Sequence, residues 1–200
     1  MIVRDEAARI VRCLDSVRTL VDDVVVLDTG SRDDTAAIAR AHGARVFFFD
    51  WCDDFSAARN AALDHSNADW NLVLDADEWI AAGSERATLD AFMEDGACIG
   101  VLSVTSEFDS QGRVESALQW LPRLLPRGVR YAGRIHEQPV TNLPRRRIGL
   151  SLRHDGYRRD ALARKHGRND ALLRRALAEY PGRSLSALPA RQERGSVRRP

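Results

Sequence analysis

Lysine is almost missing from this chain. Of its 30 basic residues only Lys165 is Lys, and the other 29 are Arg. Cysteine is also scarce: Cys13, Cys52 and Cys98 are odd in number and scattered. That pattern excludes a disulfide framework and a CxxC metal site, and it fits a reducing, cytoplasmic setting. No apolar run approaches the roughly 18 residues of a membrane span, and the opening MIVRDEAARI does not read as a signal peptide. No Gly-rich phosphate loop with a basic residue stands near the N-terminus. No nucleophile of the Ser-His-Asp or Cys-His type is evident, and there is no internal repeat. Aromatic residues are only 6% of the chain. Tyr131 and Tyr157, lying among the basic residues, are too few to stack nucleic-acid bases, so no nucleic-acid partner is expected.

The 200 residues are 44% hydrophobic and 30% charged. These are the proportions of one ordinary globular domain, long enough to bury a core without staples. The net charge of +1 conceals a division. Residues 1–100 hold 9 basic and 20 acidic side chains, whereas residues 101–200 hold 21 and 9. An Arg-rich half can meet a phosphorylated substrate or make peripheral contact with an anionic membrane surface, and biased base composition in a genome produces the same enrichment. The acidic half is more informative, because its carboxylates cluster at strand ends.

Apolar runs alternate with helical patterns. Val24 to Leu27 and Val46 to Phe49 are continuous, as in strands buried on both faces. Leu72 to Leu74 and Ile99 to Val104 are further strand candidates. Between them lie helix-period segments. Ala7, Ile10, Val11, Leu14 and Val17 make the first. Ala36, Ile38, Ala39 and Ala41 make a second, capped by Asp34 or Thr35 and closed by Gly43. Phe55 to Leu63 makes a third. The alternation predicts an α/β fold with a mostly parallel sheet flanked by helices. Only Met1-Ile2-Val3 precede the first helix, so the first strand is shortened. One edge of the Val24 to Leu27 strand, or of a neighbour at Leu72 to Leu74, is then expected to lie partly unpaired. From residue 105 onward prolines and glycines predict loops and short strands. Asp160 to Tyr180 reads as a helix and residues 182–200 as a disordered tail.

Three segments carry candidate chemistry. Leu74-Asp75-Ala76-Asp77-Glu78 follows an apolar stretch, which puts two carboxylates at the carboxyl edge of a sheet. In an extended strand residues i and i+2 face the same way, so Asp75 and Asp77 can address one hard cation; a polar turn ending a strand is the plain alternative. Val26-Leu27-Asp28-Thr29-Gly30-Ser31 is a buried strand ending in an acid and a tight turn. Asp28 can accept hydrogen bonds from a base or ribose, and Gly30 admits a ligand to the backbone; a capped βα loop explains the same residues. Phe55 to Asn60 places Arg59 among small residues, as a phosphate or base contact or as a surface helix arginine.

Taken in order, MIVRDE, VVVLDTGSRDDT, DWCDDFSAARNAAL and DWNLVLDADE resemble family 2 glycosyltransferases of the GT-A fold. Gly133-Arg134-Ile135-His136-Glu137-Gln138, Arg153-His154-Asp155-Gly156-Tyr157 and Lys165 to Asn169 are similar to one subgroup. It includes proteins with appended tetratricopeptide repeats and peptide S-glycosyltransferases. The resemblance covers residues 1–181, taken as the transferase domain. It implies an inverting transfer of a sugar, by metal-assisted single displacement, from a nucleotide diphosphate. UDP-hexose is the default donor, and the acceptor is a glycan, a lipid-linked glycan or a peptide. It places Asp28, Thr29, Gly30 and Arg59 on the nucleotide-sugar. Asp77 falls on Mg²⁺ or Mn²⁺, with Asp75 beside it or on ribose, and His154 completes the metal shell. Glu137 takes the position of the base, with His136 next to it as competitor. Family members carry a fuller first strand than the one here. A nucleotidyltransferase, or a silent nucleotide-binding remnant, remains the alternative.

Overall fold

Why so short a first strand still holds is visible in its hydrogen bonds. The computed structural model describes residues 1–110 and 113–157. Strand β1 (Ile2–Val3) lies parallel to β2 (Val25–Asp28) once the chain has passed through helix α1 (Ile10–Val17). Leu27 N donates to Met1 O at 2.9 Å, and Thr29 N donates to Val3 O at 2.9 Å. The Met1 ammonium donates to Val25 O at 2.7 Å. Helix α1 buries Ile10, Cys13, Leu14 and Val17, the i, i+3, i+4, i+7 stripe of a helix with one apolar face. Helix α2 (Thr35–Ala41) then leads to β3 (Arg45–Phe48), parallel to β2, and closes at Gly43 with φ of 84°. Asp34 occupies the cap position of α2 without a side-chain bond. Asp33 does that work, its Oδ1 accepting from Thr35 N at 3.0 Å.

The β3 run is not buried on both faces as its continuous apolar sequence suggests. β3 is the outer strand of the order β1-β2-β3, and Phe48 is 68% exposed. Phe47 instead finds a flat stack against the His65 ring, centroids 3.7 Å apart. β2, between two neighbours, is paired on both edges.

Helix α3 (Phe55–Asp64) begins where the Asp54 side chain accepts from Ala57 N at 3.0 Å. After it come β4 (Trp70–Leu72), β5 (Glu78–Ile80), α4 (Arg86–Glu94), β6 (Ile99–Ser110), β7 (Arg113–Pro126), β8 (Arg130–Ala132), β9 (Gln138–Val140) and β10 (Arg145–Tyr157). Five of these form a second sheet in the order β4-β7-β6-β10-β5, while β8 and β9 pair alone.

The α/β class and the shortened first strand are as expected. Parallel pairing holds for β1-β2-β3 and for β6 with β10, and the other pairs are antiparallel. β4 does not adjoin β1 or β2; it pairs with β7. The loops and short strands expected from residue 105 appear only around β8 and β9; a long β6–β7 hairpin and the long β10 occupy the rest of that stretch. Two prolines stand in β7. Pro126 sits at the strand's end, and Pro122 lies beside a register shift. There Gly100 faces Leu124 and Val101 faces Pro122, so Arg123 bulges between them. The helix expected at residues 160–180, the tail 182–200 and the domain end at 181 lie outside the described residues.

The main core gathers Cys13 and Val17 of α1, Leu89 and Phe92 of α4, and Leu102, Leu124, Leu150 and Leu152 of the second sheet. Gly100 is required there: a Cβ on it would stand 2.8 Å from Leu124 Cβ.

Candidate functional site

The carboxyl end of β2 delivers Asp28, and the following turn is built on its side chain. Asp28 Oδ1 accepts from Gly30 N at 2.8 Å and Ser31 N at 2.7 Å, with Gly30 at φ of 100°, where a side chain would be strained. Asp28 Oδ2 is buried without a hydrogen-bond partner among the described residues. A buried acceptor in that state costs free energy unless a donor reaches it. Thr29 faces inward instead: its hydroxyl donates to Val3 O at 3.0 Å and ties the turn to β1. Asp5, in the left-handed region at φ of 54°, accepts from Arg32 N at 2.7 Å and holds the other side.

The acidic segment after β4 is a closed turn rather than an extended strand. Glu78 N donates to Asp75 O at 3.0 Å, and Asp75 N donates to Glu78 Oε2 at 3.1 Å. The two aspartates therefore have different partners. Asp75 accepts from Arg59 Nη2 at 2.7 Å and from Arg123 Nη2 at 3.1 Å. Asp77, buried, sends Oδ2 to within 3.4 Å of His154 Nε2 on β10. His154 Nδ1 lies 3.2 Å from Ser106 Oγ on β6, which orients the ring. Burial works against ionisation of Asp75, but the charges of Arg59 and Arg123 outweigh it and hold its pKa well below the ordinary value. Burial raises the pKa of Glu78, with the Arg123 charge opposing that rise.

Helix α3 carries Arg59 into this cluster. Its Nε donates to Glu137 Oε1 at 2.6 Å, and its guanidinium lies 5.6 Å from the Tyr131 ring centre. Arg59 is 7% exposed, and its Nη1 is buried without a partner among the described residues. Its pKa is raised well above the ordinary value: burial opposes the charge, and the Asp75 and Glu137 carboxylates more than compensate.

The next residue, Asn60, fixes the loop that bears Glu137. Its side chain accepts from Tyr131 N at 2.8 Å and donates to Tyr131 O at 3.0 Å, clamping β8 to α3. Phe55 N donates to Arg134 O at 3.0 Å. The loop between β8 and β9 turns sharply, with Gly133 at φ of 104° and His136 at 56°. Glu137 is thereby turned in, and His136 is exposed.

The structure thus draws the sequence candidates into two linked groups. Arg59, Asp75 and Glu137 are joined in one ion-paired chain, while Asp77 meets His154. Thr29, Gly30 and Asp28 form the neighbouring turn, and His136 has no hydrogen bond to either group. Glu78 and Arg123 were missed. The signals for them were slight: an acid directly after the DxD, and an arginine inside the apolar stretch Leu121-Pro122-Arg123-Leu124.

Among the described residues no three His, Cys, Asp or Glu side chains close into a ready metal cluster. The donor chemistry nevertheless suits a hard divalent ion. Neighbouring ligands each roughly 2.0–2.1 Å from Mg²⁺ stand about 3 Å apart, close to the Asp77–His154 spacing, and such ions keep positions for phosphate and water. Cys13, buried with its pKa raised to about 12 by that burial, is an inert thiol that donates to Asp75 O at 3.5 Å. A cavity of about 180 Å³ borders this cluster through Arg59 and Tyr131, is lined also by Met1, Val24, Leu63, Leu72 and Leu89, and touches neither Asp77, His154 nor Glu137. No helix among the described residues is long and apolar enough to cross a membrane.

The aspartate-ended β2 turn and the DxD turn that the motifs anticipated lie in one α/β domain, and the structure adds an Arg59-bound glutamate loop. The chain matches Glycosyl transferase family 2 over residues 1–166, and it belongs to that family. The fold is accordingly of the GT-A α/β class. It is 30% identical over 165 residues to the prophage-derived glycosyltransferase SunS of Bacillus subtilis, covering 78% of this chain and 39% of that protein. It is 62% identical over 78 residues to a TPR repeat-containing protein of Synechococcus elongatus, covering 39% of this chain and 19% of the relative. The chain therefore spans less than half the length of these relatives. Among solved structures, S. aureus TarS is 21% identical with a TM-score of 0.41, over 56% of this chain and 35% of that one. Glucosyl-3-phosphoglycerate synthase from Mycobacterium tuberculosis, solved with Mn²⁺, UDP and glucosyl-3-phosphoglycerate, is 25% identical with a TM-score of 0.40, over 55% of this chain and 42% of that one.

Proposed function

We propose that this domain transfers a sugar from a nucleotide diphosphate to an acceptor hydroxyl or thiol, with inversion at the anomeric carbon. The observation that carries the reading is the meeting of Asp77 and His154, brought from a turn and a distant strand to 3.4 Å. Asp77 and His154 would hold Mg²⁺ or Mn²⁺, with Asp75 at the edge of that group. When bound, the ion neutralises the charge that grows on the departing diphosphate. Asp28 Oδ2, the unpartnered buried acceptor, takes a donor hydrogen from the base or ribose. Gly30 lets the nucleotide approach the turn backbone. Glu137 removes the acceptor proton, and Arg59 holds its carboxylate in place. His136 is the rival for that role, being adjacent and exposed. UDP-hexose is the donor to try first, and the acceptor is a glycan, a lipid-linked glycan or a peptide.

Thermal unfolding in the presence of UDP with Mn²⁺, followed by a screen of sugar nucleotides for hydrolysis, tests the reading. Stabilisation by UDP that needs the metal, with slow release of sugar from one donor, is the expected result. Indifference to every nucleoside diphosphate tried would leave a silent member of the family.

A further inference from the structure

We propose that Arg123, with Glu78, is a positioning residue that sets the distance between the metal-binding turn and the base; this rests on the transferase reading above. Five charged side chains form an unbroken line. Glu78 pairs with Arg123, Arg123 with Asp75, Asp75 with Arg59 and Arg59 with Glu137. The line starts one residue after Asp77 and ends on the carboxylate placed as base.

The bulge in β7 puts Arg123 at the head of this line. Val101 faces Pro122 and Gly100 faces Leu124, so Arg123 is the extra residue of the bulge. A bulge turns a side chain out of the strand's regular alternation, and here it sends a guanidinium inward to the Asp75–Glu78 turn. The backbone is pinned at the same residue, since Val73 N donates to Arg123 O at 2.7 Å. Glu78 is held twice, by Arg123 through Oε1 and by Asp75 N through Oε2.

Stability alone is a poor reason for this arrangement. A buried ion pair seldom outperforms apolar side chains of the same size, because the desolvation of both charges offsets their attraction. Arg123 Nε is also buried without a partner among the described residues, an additional cost. What the line does supply is geometry. Asp75 is the shared acceptor of two arginines. With Arg123 removed its carboxylate is free to pivot on Arg59, and Arg59 carries Glu137 with it. Neither Arg123 nor Glu78 need touch the donor for this.

The test measures hydrolysis of UDP-glucose and UDP-GlcNAc with Mn²⁺, for wild type, Arg123→Met and Arg123→Lys, each checked for native circular dichroism. Arg123→Met is expected to lower kcat by about 10–100-fold, the usual cost of losing such a supporting contact. The donor KM should hold within about threefold, and Arg123→Lys should recover only part of kcat, since its ammonium restores the charge without the guanidinium's planar fork. A folded Arg123→Met enzyme with wild-type kcat overturns the proposal. So does a KM that rises as far as kcat falls, which would make Arg123 a donor contact. If Arg123→Met does not fold, the double variant Arg123→Met, Glu78→Met removes both charges together and takes its place, with the same expectation and the same overturning results. A wild type that hydrolyses neither donor overturns the transferase reading and this proposal with it. A working wild type beside an unimpaired variant overturns the positioning alone.

Discussion

His154 Nε2 stands 3.4 Å from Asp77 Oδ2, although one belongs to β10 and the other to the turn that precedes β5. The register explains the approach: His154 pairs with Glu78 on one side and Ser106 on the other, so the neighbour of Glu78 lies at hand. Asp77→Asn keeps the shape of the side chain and removes its charge. Turnover should fall by about 10²-fold or more, the rate equivalent of several kcal/mol of lost charge stabilisation. EDTA should stop the wild-type enzyme, and added Mn²⁺ should restore it. An Asp77→Asn enzyme that works normally, or a wild type indifferent to EDTA, removes the metal from this pair.

Glu137 and His136 separate cleanly by substitution. Glu137→Gln retains a hydrogen-bond acceptor for Arg59 and loses basicity, so transfer should drop by roughly 10²–10⁴ while UDP binding holds. His136→Ala is expected to have a small effect, since that side chain is exposed. Steady-state rates of both variants decide. The reverse pattern would exchange the two roles.

Much of the first half of the fold was legible because its signals are local. The α1 stripe, the start of α3 at Phe55 and the Asp28-Thr29-Gly30 turn each follow from a few neighbouring residues. The second half depended on pairing between distant strands, which no short window reveals. The β6–β7 hairpin was hidden by Pro122 and Pro126, whose roles at a bulge and a strand end are tertiary facts. The same limit applied at the site. Asp75 and Asp77 read as twin ligands when the segment was taken as extended. The closed Asp75–Glu78 turn sends them to different partners, and Arg59, read as a phosphate or base contact or as a surface helix arginine, is buried and joins Asp75 to Glu137.

Asp28 serves two purposes that one substitution can separate. Asp28→Asn preserves the Oδ1 acceptor that holds the Gly30 and Ser31 amides, but it replaces the unpartnered Oδ2 by an amide donor. If that oxygen takes a hydrogen from the nucleotide, donor would then face donor. UDP affinity should weaken by about 1–3 kcal/mol, with little change in melting temperature. Calorimetric titration of UDP with Mn²⁺ measures it. Unchanged affinity would confine Asp28 to the turn.

In a chain that starts at Met1, the Met1 ammonium gives stability a pH dependence of its own. It sits beside the apolar cavity and donates to Val25 O. Burial first, and the nearby Arg59 charge second, lower its pKa from 8.0 to about 6. A cation with a depressed folded pKa binds fewer protons in the folded state than in the unfolded state between those two values. Stability must therefore rise as pH goes from about 6 to 8 and level off above. The whole change is about 2–3 kcal/mol at most, since one pKa unit is worth about 1.4 kcal/mol. Acetylating the amine removes the charge, and the acetyl methyl adds apolar volume at the cavity. Thermal unfolding of the free and acetylated chains across pH 5–9 isolates the effect, because every histidine is common to both. The free chain should gain on the acetylated one as pH rises from 6 to 8. Parallel curves would mean that the amine is not enclosed, and that the short β1 leaves the end of the chain in water.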